Sequence, residues 1–214
     1  MGLPLDPATY GAFVITALLL ALAPGTDNIY IATRTLSQGR RAGLLAAAGV
    51  ALALTAHVTL ITFGLSQLFL SSPELYRAVR WTGVGYLLWL AYRAFTMRPE
   101  TAWLDTQVAP TGTASRRIVA QGFLLCLLNP KLAVFFIAFL PQFTDPAAGA
   151  MTVQLLILGV TFALCGLGIF LVMIFAIAPL GAWLRRHPAF PVWQGRLTGS
   201  VLGGMAVWLA FEDA

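Results

Sequence analysis

The chain has 214 residues, 59% of them hydrophobic and only 10% charged, and 13 basic against 8 acidic residues give a net charge of +5. A soluble domain carries about 25% charged residues, so too few charges exist to cover an aqueous surface, and the mean hydropathy of +0.83 agrees. The positive surplus is therefore read by its position along a membrane chain rather than as a nucleic-acid footprint, and no nucleic-acid partner is expected.

A helix of about 20 apolar residues crosses about 30 Å of hydrocarbon. Six such spans are predicted, from Thr9 to Ala32, Ala42 to Leu68, Leu75 to Phe95, Ile118 to Leu140, Val153 to Ala178 and Leu197 to Phe211. Residues before the first span include Asp6 and no Lys or Arg, so it reads as a span and not as a cleaved signal peptide. The fold class is an all-α integral membrane protein, a single membrane domain over residues 1–214.

The loops set the orientation. Segment 33–41 carries Arg34, Arg40 and Arg41, segment 93–117 carries Arg93, Arg98, Arg116 and Arg117, and segment 183–196 carries Arg185, Arg186 and Arg196. These alternate loops hold ten of the thirteen basic residues, against Arg77 and Arg80 on the other side and Lys131 inside a span. The positive-inside rule then places the three basic loops in the cytoplasm and both termini outside, on the periplasmic or extracellular face. The Pro-, Thr- and Gly-rich linker, residues 96–117, separates helices 1–3 (residues 1–95) from helices 4–6 (residues 118–214). Three helices per half force the two halves into opposite orientations, the geometry of an inverted repeat.

Two helix breaks at matching places carry the strongest local signal. The first span contains Pro24, Gly25, Thr26, Asp27 and Asn28, and the fourth contains Asn129, Pro130 and Lys131. Proline removes a backbone donor and clashes with the preceding turn, and freed carbonyls in hydrocarbon are tolerated only against protein or a wet cavity. Interrupted helices at corresponding positions of two halves point to a transporter's binding site; a kink used for packing is the bland alternative. Each break stands beside an ionisable residue. Lys131 lies roughly 15 to 20 Å from either end of its span, a depth at which charges mark substrate or ion pathways. Asp27 serves that purpose, caps the restarted half-helix, or does both, since the half-helix N-terminus also attracts an anionic substrate group.

Gly49, Ala53 and His57 share a helix face at spacing four. Two readings stand for the imidazole: proton exchange beside a pore or an interhelical hydrogen bond. His187 reads as solvated in a basic loop. Gly195, Gly199 and Gly203 read as a close-packing stripe, within one bundle or across a dimer, and Trp81 and Trp183 as interfacial anchors. No ATP-binding loop, nucleophile elbow or His-Glu-x-x-His motif occurs, so no enzyme activity is expected and an ion gradient would supply the energy.

The stretches Leu22 to Asn28 (LAPGTDN), Arg34 to Gly43 (RTLSQGRRAG) and Gly122 to Phe143 (GFLLCLLNPKLAVFFIAFLPQF) resemble the LysE/RhtB family of the LysE superfamily. The resemblance covers nearly the whole chain, including the His57 position and the Ser72-Pro73 turn. It implies a small bacterial inner-membrane exporter of amino acids, driven by the proton-motive force and dimeric. Thr26 stands where the family commonly has a second proline, Cys126 where it has asparagine, and Ala53 where it has glycine.

The leading expectation is a secondary exporter of an amino acid or related zwitterion, with a homodimer allowed. Residues Pro24, Gly25, Thr26, Asp27, Asn28, His57, Asn129, Pro130 and Lys131 form its site. Lys131 faces the substrate carboxylate, and Asp27 faces the ammonium or takes a proton. A transmembrane thiol–disulfide electron carrier of CcdA/DsbD type is a second expectation, although only Cys126 is suitably placed. A divalent-metal exporter is a third, weakly supported by two scattered Cys and two His. With neither a disulfide framework nor a zinc spacing at Cys126 and Cys165, no metal site and no cofactor are expected.

Overall fold

The computed structural model describes residues 5–23, 25–65, 73–96, 114–186 and 190–211. Helices account for almost all of these, and no strand occurs among them. The Asp6 carboxylate accepts from the Thr9 amide at 2.9 Å and starts α1, Pro7–Leu22. After the first break α2 runs over Thr26–Gln38, and its axis bends 53° from that of α1. Only Gly39 separates α2 from α3, Arg40–Leu60, which continues into a wider π turn at Ile61–Leu65. Gly39 has φ +83°, a left-handed conformation that side chains disfavour.

Helix α4 spans Pro73–Thr96 and α5 spans Ser115–Leu127. The second break follows, and α6, Pro130–Val134, leads into a π turn at Phe135–Phe139 and a 3-10 turn at Leu140–Phe143. These two segments bend by 47°. Helix α7, Met151–Arg186, and α8, Phe190–Phe211, complete the chain. Fully buried Gln154 ties the connection before α7 together, donating to the Asp145 and Gly149 carbonyls and accepting from the Asp145 amide.

By length and composition, Arg40–Gly64 and Met151–Ala176 each suffice to cross a membrane, and each bent pair would also suffice if it is one span, which makes two to four candidate spans among the described residues. The outer surface is apolar to match: Leu52, Phe63, Leu128, Val172 and Phe211 are each more than half exposed. Such a surface is stable only against lipid or a partner.

Several boundaries differ from the sequence expectation. The segment read as a loop over residues 33–41 is helical except for Gly39, so Arg34 belongs to α2. Helix α7 passes through Pro179 and carries Arg185 and Arg186, and α8 begins seven residues before Leu197. The expected loop over 183–196 is thus mostly helix. Arg80, counted on the opposite side and within the third expected span, is buried in α4 and donates to the Leu209 carbonyl at 2.7 Å near the end of α8. A cation at the negative end of a helix is favourable, and these bonds satisfy carbonyls that lack intrahelical partners. Pro24, His187, Ser72 and linker residues 97–113 lie outside the described residues.

The core is unusually aromatic. Phe13 of α1, Phe135 and Phe139 of the π turn, Phe143 and Phe162 of α7 form one cluster, with Phe135 and Phe162 centroids 4.6 Å apart. Elsewhere small residues let backbones meet. A Cβ on Gly49 would strike the Val119 carbonyl, and one on Gly122 would lie 2.7 Å from the Ala46 carbonyl. Helices α3 and α5 therefore touch main chain to main chain. Gly195 and Gly199 do the same for α8 on α4, against the Ala94 and Ala91 carbonyls, so the glycine stripe packs within the chain.

Candidate functional site

The two breaks meet in the interior. Helix α1 ends at Leu22, leaving carbonyls without intrahelical donors. Asn28 turns back and donates from Nδ2 to the Ala21 and Ala23 carbonyls at 3.1 and 3.2 Å. Lys131, from the other half of the chain, donates from Nζ to the Ala23 and Leu20 carbonyls at 3.2 and 3.4 Å. A Cβ on Gly25 would stand 3.0 Å from this ammonium, so the glycine gives it room. An ammonium in the first turn of α6 is opposed by that helix's own dipole; resting on the C-terminal carbonyls of α1 offsets the cost.

At the second break Asn129 is the N-cap of α6. Its Oδ1 accepts from the Lys131 amide at 3.0 Å, and Pro130 fills the first helical position, where no donor is needed. The Asn129 Nδ2 donates across to Asp27 Oδ2 at 3.1 Å, and Thr26 Oγ1 donates to Oδ1 at 3.3 Å. Asp27 is 6% exposed. It lies in the first turn of α2 and is held by the cap residue of α6, so two positive helix ends converge on one carboxylate. The capping alternative for Asp27 is not what the structure has: the N-cap of α2 is Gly25, without a side-chain cap bond.

The two charges do not neutralise each other directly. Lys131 spends its donors on carbonyls, Asp27 accepts from amide and hydroxyl, and Asn129 stands between them. Both line a cavity of about 20 Å³, together with Asn28 and the apolar residues Val50, Leu54, Phe162, Gly166 and Phe170. That space holds a water molecule; an amino acid requires the walls to part.

His57 is buried near the group without lining this cavity. Its ring lies parallel to Phe136, centroids 5.5 Å apart, and Nε2 is 3.3 Å from the Cys126 carbonyl at the end of α5. The Gly49–Ala53–His57 face thus packs on α5. Of the nine residues expected at the site, Gly25, Thr26, Asp27, Asn28, Asn129, Pro130 and Lys131 come together, His57 stands behind the second break, and Pro24 lies outside the described residues.

Residues that the sequence did not single out complete the picture. Arg34 is buried in α2, donates to Gln121 Oε1 at 2.6 Å and lies over the Tyr30 ring, whose hydroxyl donates to the Ile118 carbonyl at 2.7 Å. This polar cluster joins α2 to α5. The apolar wall from α3 and α7 carried no local signal beyond ordinary helix periodicity.

Cys126 is fully buried and Cys165 half-buried, both as free thiols; thiol exchange needs access to both. Among the described residues no group of three or more His, Cys, Asp or Glu is placed to hold a metal ion.

The family model for LysE type translocators matches residues 18–213 of the chain. An uncharacterized membrane protein of Vibrio cholerae serotype O1 is 30% identical over 214 residues, covering 98% of this chain and all of the relative. The homoserine/homoserine lactone efflux protein of Salmonella typhimurium is 31% identical over 150 residues, 70% of this chain and 71% of its own. The leucine efflux protein of Enterobacter sp. (strain 638) is 28% identical over 204 residues, 94% of each chain. No solved structure matches the chain.

Proposed function

The chain belongs to the LysE type translocator family, and from that premise we propose that it is a secondary exporter of an amino acid or related small zwitterion. It works in a bacterial inner membrane, crosses it six times as two inverted three-helix halves, and draws on the proton gradient. One observation carries the proposal. Asp27 and Lys131, from opposite halves, face one cavity at two helix breaks without being consumed by each other. A zwitterion offers one charge to each, its carboxylate to Lys131 and its ammonium to Asp27.

The packing supports the inverted repeat. The second span lies on the fourth as the fifth lies on the first, the third meets the sixth, and the second meets the fifth. Exchanging the two halves leaves these pairings unchanged, while the first span packs on the second more extensively than the fourth does on the fifth. The arginine distribution supports both termini outside, and the names of the efflux relatives support an amino-acid cargo.

The test is export from cells lacking the gene and loaded with dipeptides, with and without the plasmid-borne chain. The expected result is release of one or a few amino acids that depends on the chain, stops with a protonophore and is lost in Asp27→Asn and Lys131→Gln. Release that persists in both variants at normal membrane insertion refutes the site.

A further inference from the structure

The cavity has two unlike sides. The broken spans form one, with Asp27, Asn28 and Lys131 beside the apolar Leu20, Ala21 and Leu132; the other is built by α3 and α7 from Val50, Leu54, Phe162, Gly166 and Phe170. A zwitterion engaged by the charged side directs its remaining substituent at the second. No hydrogen-bonding or charged side chain lines that wall among the described residues, so a lysine or glutamate side chain would be buried there uncompensated, which is costly.

Gly166 has a particular place in this wall. Seven residues earlier on the same face of α7, Gly159 is required for packing, since a Cβ there would lie 2.9 Å from Val58 Cγ1. At Gly166 a Cβ would meet nothing nearer than Leu54 Cδ1 at 3.9 Å and Phe170 Cε2 at 4.0 Å. Helix contact does not demand a glycine here. The volume its missing side chain leaves is part of the cavity.

We infer that the wall of Val50, Leu54, Phe162 and Phe170 receives the side chain of the cargo and that Gly166 sets its size, so that the protein selects amino acids with uncharged aliphatic side chains. This rests on the zwitterion exporter proposed above. The glycine contributes room for a branched side chain; Leu54, across from it, limits how far that room extends. A side-chain pocket of this kind discriminates by one methylene at a time, roughly 10- to 200-fold per step.

The experiment uses the full chain reconstituted in proteoliposomes, with labelled alanine, leucine, phenylalanine, lysine and glutamate as probes. The wild type is expected to carry alanine and leucine and to reject lysine and glutamate. Gly166→Val should lower the leucine-to-alanine rate ratio at least about tenfold, and Leu54→Ala should raise the phenylalanine-to-leucine ratio. Because ratios are read within one preparation, a loss of folded protein cannot imitate either shift. Equal transport of lysine and leucine, or unchanged ratios in both variants, overturns the inference while leaving the exporter intact. No transport of any amino acid refutes the exporter reading itself, and transport indifferent to Asp27→Asn and Lys131→Gln refutes the proposed site; either result takes the inference with it.

Discussion

Asn129 holds Asp27 at 3.1 Å across the two halves of the chain while capping its own helix. One amide therefore performs two tasks: its oxygen begins α6, and its nitrogen fixes the carboxylate of α2. Removing a helix cap costs about 1 kcal/mol, and a buried carboxylate that loses a donor costs more.

These two tasks are separable by substitution. In Asn129→Asp the oxygen cap survives, but a second carboxyl replaces the donor to Asp27; in Asn129→Ala both are lost. Export should fall sharply in both, while the thermal midpoint of the detergent-solubilised protein should fall further in Asn129→Ala. Retained export in Asn129→Asp would mean that the Asp27 contact is dispensable.

The Asp27 and Lys131 charges are not a direct pair, so removing both should not rescue the loss of either. Asp27→Asn with Lys131→Gln is expected to export no faster than the worse single variant, per unit of inserted protein. Recovery in the double variant would instead identify a structural ion pair, in which only an unmatched charge is harmful.

Pro130 keeps the second break open. With Ala at that position a backbone N–H is restored one turn after Cys126, whose carbonyl now accepts from the Asn129 amide and lies against His57. The helix can close on it. Pro130→Ala, and Pro24→Ala by the sequence reading, should insert normally and export poorly. Normal export by both would reduce the breaks to packing kinks.

His57 separates the two roles that its residue type allows. Its position on the α5 end and against Phe136 favours a tether, so His57→Gln should keep most export and His57→Leu should lower stability by about 1 kcal/mol, in line with hydrogen bonds between membrane helices. Abolished export in His57→Gln with an intact thermal midpoint would assign it to proton movement.

The breaks were legible because Pro, Gly and Asn are the residues that interrupt helices, and both breaks carry them. The close contact of the break residues was not, since Asp27 and Asn129 are 102 positions apart and no local pattern links them. Arginine misled once. Charge put Arg34 in a loop, yet it is buried in a helix because Gln121 of a distant helix accepts from it, and Arg80, expected inside the third span, is buried against the Leu209 carbonyl. The Gly49–Ala53–His57 face on α3 reads equally as a pore lining or a contact face, and only the positions of the Val119 and Cys126 carbonyls decide. The fifth span, expected to end at Ala178, continues as α7 through Pro179 to Arg186.

The main-chain contact of α3 with α5 has a mechanical side. With Gly49 against the Val119 carbonyl and Gly122 against the Ala46 carbonyl, the atoms nearest Gly49 are all backbone, and no rotamer change there can absorb a displacement. Sliding one along the other would drive backbone into backbone, so the contact acts as a fulcrum. Helix α7 meets α3 through side chains, with a small gap between Leu54, Gly166 and Phe170. Any widening of the cavity would therefore fall to α7 and not to the α3–α5 contact.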